Sequence, residues 1–117
     1  MYDLNGPMDA ARTDALLRAL DACKEGNARV VAVTESHAML VLRVTMEGAE
    51  PVTLLCGECR RIETTMRWHV VRIRYDVLST EPYRYRIFDA DAGFSVECGV
   101  VRVAGHPDEW KAVDGSA

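Results

Sequence analysis

The chain has 117 residues, of which 49% are hydrophobic and 27% are charged, and its formal net charge is −4. This composition excludes a disordered chain, and no apolar run reaches the roughly 18 residues of a membrane-spanning helix. A globular chain of this length buries roughly two-thirds of its surface on folding, so we expect one domain over residues 1–117, with frayed ends at residues 1–6 and 113–117. The amino end lacks a basic segment followed by an apolar one, which predicts a cytoplasmic location and no membrane association.

The first predicted element is a helix from Pro7 to Glu25. Proline is favoured in the first turn of a helix, and Gly26-Asn27 supplies a stop signal. Between these ends, apolar residues recur at helical spacing, which predicts one buried stripe. The members of this stripe are Met8, Ala11, Ala15, Leu16, Ala19, Leu20 and Cys23.

After the helix, the sequence alternates between apolar and polar residues, which predicts β-strands. The first three strands are predicted at Ala28–Thr34, Ala38–Met46 and Val52–Cys56, joined by short turns. The second of these strands carries apolar residues on both faces near its amino end. Such a strand is either covered on both sides within the chain or lies in a subunit interface. The second interpretation is one reason to expect a homodimer.

The stretch from Thr65 to Phe88 predicts two paired strands joined by a short loop. In its first strand the apolar positions change parity between Val70 and Val71. A shift of one residue turns every later side chain over, so the strand contains a β-bulge or passes from one packing environment to another. The last predicted strand, Phe94–Val103, shows a similar change beside a glycine.

Together these elements predict an α+β protein. An N-terminal helix packs on a bent antiparallel sheet of about six strands, forming a roll or half-barrel. A short C-terminal helix or turn is predicted to follow near His106.

Basic residues are concentrated in the middle of the chain. Residues 60–88 contain seven basic and three acidic residues, a net charge of +4, whereas residues 1–59 and 89–117 each have a net charge of −4. If the two strands of this region pair, four arginines stand on one face, beyond Arg67 and His69 at the bend. These four are Arg72, Arg74, Arg84 and Arg86. The face is either a site for a small anion or an acidic protein, or a solvated surface whose arginines pair with nearby acids.

The same arginine face has two further interpretations. Nucleic-acid binding is one, but the acidic net charge opposes long-range attraction to a polyanion. Self-assembly is the other, with the arginine face of one copy meeting the acidic side of the helix in another. We rank protein association above nucleic-acid binding.

A small-molecule pocket between the helix and the curved sheet is a competing hypothesis. Its predicted lining is Trp68, Tyr75, Tyr85 and Phe94. Aromatic side chains commonly line ligand pockets. A structure in which side chains fill this space would contradict the hypothesis.

Two cysteines, Cys56 and Cys59, have a spacing that is compatible with zinc binding or redox chemistry. A structural zinc site needs further ligands, which the sequence does not supply at matched spacing, and a redox pair needs a helix after it rather than a strand. We therefore interpret these residues as thiols at a strand end, with zinc as the alternative, and expect no cofactor.

Catalytic motifs are not evident in the sequence. His69 near a carboxylate would meet one requirement for proton transfer, but there is no nucleophile elbow, phosphate-binding glycine loop or zinc-protease histidine pair. The sequence therefore favours a small, self-associating binding or interaction domain over an enzyme. The small-molecule pocket and the anion-binding or nucleic-acid-binding arginine face are the alternatives.

Overall fold

The structure, a computed structural model, describes residues 10–34, 39–70, 72–80 and 82–104. In chain order its elements are α1 (Ala10–Ala22), β1 (Asn27–Thr34), β2 (Met39–Thr45), β3 (Val52–Gly57), β4 (Arg61–Glu63), β5 (Arg67–His69), β6 (Arg74–Thr80), β7 (Tyr83–Asp89), a 3-10 turn (Ala90–Ala92), β8 (Phe94–Cys98) and β9 (Val100–Val103). The predicted frayed ends and the predicted C-terminal helix or turn lie outside the described residues. Within the described ranges, no helix has the length and apolar character that crossing a bilayer requires.

The strands form two antiparallel sheets. Sheet A has the strand order β5-β1-β2-β3-β9, and sheet B has the order β4-β8-β7-β6. The predicted fold class, α+β with antiparallel strands, is therefore confirmed. The predicted bent sheet is divided into two open sheets, because two of the predicted strands each contribute to both. The short strand β4, which pairs with β8, was not predicted.

The two predicted parity changes mark the places where the chain leaves one sheet and enters the other. β5 pairs with β1 in sheet A, whereas β6 pairs with β7 in sheet B. In the same way, β8 belongs to sheet B and β9 to sheet A. At each crossing, the side chains that face the space between the sheets change from the even-numbered to the odd-numbered residues, or the reverse. The change of parity therefore keeps the apolar side chains inside on both sides of the crossing.

Gly99 lies at the second crossing, where the backbone is crowded. A Cβ atom at this position would collide with the side chain of Glu58 and lie 3.3 Å from Nη1 of Arg84. The Gly99 amide donates a hydrogen bond of 3.0 Å to the carbonyl oxygen of Gly57. Glycine is needed here because other groups approach its backbone closely.

One apolar core lies between the two sheets and against α1. The helix contributes Leu16, Leu20 and Cys23, which confirms part of the predicted stripe. Sheet A contributes Ala28, Val30, Leu40, Leu42, Val44, Leu54, Cys56 and Val101, and sheet B contributes Tyr85, Ile87, Phe94, Val96 and Cys98. Full burial of one large apolar side chain stabilises a fold by about 1.5–3 kcal/mol, so this core is the main stabilising element.

The central strand of sheet A, β2, is buried on both faces, as its sequence predicts. Leu40 and Leu42 belong to the core between the sheets, while Met39 and Val41 are 0% exposed on the opposite, outer face. Leu55 of β3 is buried beside them. This burial arises within one chain, so the apolar pattern of β2 does not require a subunit interface.

Candidate anion-binding site

Three arginines stand side by side on the outer face of sheet A. Arg29 of β1 lies directly opposite Arg43 of β2 on one side and directly opposite Arg67 of β5 on the other. Neighbouring strands are about 4.8 Å apart, so the three backbone positions span about 10 Å. We call Arg29, Arg43 and Arg67 the arginine row.

A second row of polar residues lies two positions along the same strands. Asn27 is opposite both Thr45 and His69, and residues two apart on a strand share a face. The hydroxyl of Thr45 donates a hydrogen bond of 3.4 Å to the Asn27 carbonyl oxygen. The two rows line a concave surface that encloses a volume of about 620 Å³. Ala28 and Trp68 also contribute to this surface. The surface offers hydrogen-bond donors and no carboxylate.

Two members of the arginine row, Arg29 and Arg67, are exposed and carry positive charge that no described acid balances. In the part of the chain that the structure describes, neither Arg29 nor Arg67 has an ion-pair partner. Arg43 is half-buried and is engaged within the chain, where its Nε donates to the hydroxyl of Thr53 at 3.5 Å. Like charges directly opposite one another destabilise a sheet, whereas a bound anion would remove this repulsion.

The edge strand β5 is fixed to sheet B through Trp68, whose side chain points away from the arginine row. Its ring stacks on Phe94 with centroids 4.6 Å apart, and its Nε1 donates a hydrogen bond of 3.2 Å to Oδ2 of Asp89. Asp89 is 1% exposed, and its Oδ1 has no hydrogen-bond partner among the described residues. These contacts determine where Arg67 and His69, the neighbours of Trp68, stand on the outer face.

The four arginines that the sequence places on one face belong to a different surface. Arg74, Arg84 and Arg86 lie along the outer face of sheet B, while Arg72 lies before β6, in a cleft beside α1. In that cleft Lys24, and to a lesser extent Arg72, lowers the pKa of Asp21.

The outer face of sheet B is also less basic than predicted. One row of four charged residues crosses the strands in the order β6, β7, β8 and β4, and its charges alternate in sign. Its members, in that order, are Asp76, Arg86, Glu97 and Arg61. Arg86 also donates from Nε to the Ser95 hydroxyl at 2.9 Å and lies 4.2 Å above the Phe88 ring. This arrangement fits the interpretation of a solvated face with balanced charges better than that of an anion site.

The aromatic residues predicted to line a pocket instead fill the space between the helix and the sheets. Tyr85 and Phe94 are 2% and 1% exposed and belong to the core. Trp68 stacks on Phe94, and Tyr75 stacks on Tyr85 with centroids 5.7 Å apart. These four residues together therefore do not line one pocket. An open cleft of about 730 Å³ does lie between α1 and the start of β6, and Tyr75 is the one of the four that contributes to its lining.

Cys56 and Cys59 lie close to a third cysteine, Cys98. The thiol of Cys59 donates a hydrogen bond of 3.2 Å to the Cys56 carbonyl oxygen. A hydrogen bond with Cys98 and burial raise the pKa of Cys56, and burial raises that of Cys59 to about 12. These thiols are therefore neutral at physiological pH. Among the described residues, no group of three or more His, Cys, Asp or Glu side chains is arranged to hold a metal ion.

Sequence reasoning identified Arg67 and His69 but missed Arg29 and Arg43. Each missed arginine occupies a polar position between buried neighbours, which is the ordinary signature of a strand's exposed face. The available signal was their spacing: each is seven residues from Ser36, at the centre of the predicted hairpin loop. This spacing gives the observed pair only together with the register shift between Val30 and Ala32. Beside the loop Thr34 pairs with Met39, and an uninterrupted ladder from there would put Arg29 opposite Val44.

Fold and site together define an α+β protein with two open antiparallel sheets and a cationic outer face on one of them. Comparisons with protein-family models, with curated proteins and with solved structures each found no significant match. The arginine row is therefore the feature of this chain that best indicates a function.

Proposed function

We propose that this protein is a binding domain without catalytic activity, and that the arginine row binds an anionic ligand through phosphate or carboxylate groups. The single observation that carries the proposal is the register that puts Arg29 between Arg43 and Arg67. Guanidinium groups bind both kinds of anion through paired, charge-assisted hydrogen bonds.

The size of the surface favours a ligand with more than one anionic group. Two rows of donors lie about 7 Å apart along the strands, and each row spans three strands. One phosphate or carboxylate group accepts hydrogen bonds from one or two guanidinium groups. A second anionic group is needed to use the third arginine and the donors of Asn27 and His69.

Nucleic acid is the less favoured ligand. The whole chain has a net charge of −4, so its long-range field opposes a long polyanion. Trp68, the one aromatic residue among those that line the concave surface, points its side chain away from the arginine row to Phe94 and Asp89. A compact ligand, or an acidic cluster on a protein, fits the short row of arginines better.

Calorimetric titration with inorganic pyrophosphate and with citrate tests this proposal. We expect Arg29→Gln and Arg67→Gln each to weaken binding by roughly 10-fold to 100-fold, because a hydrogen bond to a charged group contributes about 1.5–3 kcal/mol. Arg84→Gln, on sheet B, is the matched control and should leave binding unchanged. Equal losses in all three variants, or binding of neither probe, would overturn the proposal. If a single-stranded oligonucleotide binds more tightly than pyrophosphate, the ligand is a nucleic acid rather than a compact anion.

We further propose that the chain is a single, self-associating cytoplasmic domain. The segregated charge of the sequence supports self-association, whereas the apolar pattern of β2 no longer does. The composition, which is ordinary for a soluble domain, supports a cytoplasmic location. Light scattering at high micromolar concentration tests the assembly, and a monomer there would contradict it.

A further inference from the structure

The outer edge of sheet B is formed by β6, which pairs with β7 alone among the described residues. An open edge offers unpaired backbone N–H and C=O groups to a further strand. The side chains at this edge are unusually apolar for such a position: Val77 is 52% exposed, Leu78 48% and the neighbouring Tyr83 44%. Soluble proteins usually protect long edges with charges or proline. The two charges of β6, Arg74 and Asp76, lie near its amino end, so the part of the edge at Val77 and Leu78 lacks this protection.

We propose that β6 pairs antiparallel with β6 of a second copy of this chain. The inference rests on the proposed self-association and names its surface. The register centred on Tyr75 pairs residues 74–76 of the two copies. Arg74 of each copy lies opposite Asp76 of the other, so twofold symmetry makes two pairs of opposite charge. Residues 77 and 78 of each copy then lie opposite residues 73 and 72 of the other, which precede β6. The two four-stranded sheets B then form one continuous sheet.

The charges on the outer face of sheet B support a second copy rather than an unrelated strand. Arg61, Glu97, Arg86 and Asp76 alternate in sign across the sheet and end with an acid at the open edge. The next strand should therefore carry a basic residue at this level. Arg74 of the second copy stands there in the proposed register. By symmetry, Asp76 of the second copy lies opposite Arg74 of the first.

The cleft between α1 and β6 gives the core side of the pairing an apolar wall. Leu17, Leu20, Ile73 and Tyr75 contribute to its lining, and Leu17 is 49% exposed. In the proposed register Val77 of the second copy lies opposite Ile73, on the face that borders this cleft. The pairing therefore places the exposed Val77 of the second copy beside the cleft, whose exposed apolar member is Leu17, since Ile73 and Leu20 are only 3% and 5% exposed.

A charge-exchange experiment tests the register. Arg74→Asp makes the edge acidic, and Asp76→Arg makes it basic. Each variant alone places like charges opposite each other in both symmetry-related pairs, so we expect dimerisation at least roughly tenfold weaker than in the unaltered chain. An equimolar mixture sets an acidic edge against a basic edge and should form a heterodimer. Sedimentation velocity and native mass spectrometry measure both results.

Controls separate the interface from the fold. Arg60→Asp and Glu50→Arg change the charge equally at exposed positions away from β6 and should not affect dimerisation. If a charge variant loses its native circular dichroism, Leu78→Lys, at an exposed position of the same edge, replaces it and should also weaken the dimer.

The possible results test separately whether the chain self-associates and whether it does so through β6. Dimerisation that is unchanged in the folded variants, or a mixture that forms no heterodimer, overturns the β6 pairing and leaves self-association standing. An unaltered chain that is monomeric at high micromolar concentration overturns both. Capture of an unrelated extended peptide by a monomeric chain, lost in Leu78→Lys, would assign the edge to a different partner.

Discussion

The hydrogen bond between Trp68 and Asp89 joins the two sheets, and its removal has a predictable cost. Trp68→Phe deletes the indole N–H that donates to Oδ2 of Asp89 at 3.2 Å. Asp89 is 1% exposed and its other oxygen has no hydrogen-bond partner in the described part of the chain, so the variant leaves a buried carboxyl group unsatisfied. The backbone and the aromatic stacking position are retained.

The expected destabilisation follows from two contributions. A hydrogen bond to a charged group contributes about 1.5–3 kcal/mol, and replacing the larger ring by phenylalanine removes some packing, about 1 kcal/mol. We therefore expect Trp68→Phe to lower the free energy of unfolding by about 3 kcal/mol, or the melting temperature by roughly 12 °C. Asp89→Asn keeps an acceptor for the indole and removes the charge, so it should cost less than about 1 kcal/mol.

Urea denaturation followed by far-ultraviolet circular dichroism measures the two variants and their combination. In the Asp89→Asn background, Trp68→Phe leaves only a neutral amide without its partner, so the combined loss should be about 1–2 kcal/mol smaller than the sum of the single losses. Additive losses would refute the coupling. Trp68→Phe should also weaken anion binding, because Trp68 fixes the strand that carries Arg67 and His69.

Two further predictions concern stability. The pKa of Cys23 is raised to about 11 and that of Cys59 to about 12, both by burial, so the unfolded chain loses these protons at lower pH than the folded chain does. Stability should therefore fall as pH rises from about 9 to 12. Urea midpoints across this range measure the fall, which should be smaller in Cys59→Ala, and a flat profile would contradict it. Gly99→Ala should cost about 1 kcal/mol. The exposed carboxylate of Glu58 can rotate away from the new Cβ, but the Glu58 Cβ lies 3.1 Å from it and must also shift. Glu58→Ala should recover part of this loss, and a full cost in the double variant would argue against the collision.

Local alternation predicted the strands well because it depends only on which face of each strand is buried. The parity changes near Val70 and Gly99 carried more information than a bulge, since each one marks a passage between sheets. The sequence did not distinguish one bent sheet from two, because both bury the same residues. The short strand β4 was missed because all three of its residues are exposed and no alternation marks them.

The arginine row was only partly predictable because register is not contained in the pattern of one strand. The pairing of Arg29 with Arg43 joins the two strands of one hairpin, but its register also depends on the shift between Val30 and Ala32, which the apolar run of β1 does not mark. The pairing of Arg29 with Arg67 joins β1 to β5, strands separated by β2, β3 and β4 along the chain. No local signal encodes that contact, since it depends on where the edge strand docks on sheet A.

Nuclear magnetic resonance of the arginine Nε–Hε groups during titration with pyrophosphate tests the central claim most directly. Each resonance reports one side chain and can be assigned with the corresponding Arg→Gln variant. We predict that the resonances of Arg29, Arg43 and Arg67 shift together along one saturation curve. The resonances of Arg84 and Arg86 on sheet B should not shift. Shifts confined to the sheet B arginines, or uniform small shifts of all of them, would contradict an anion site at the arginine row.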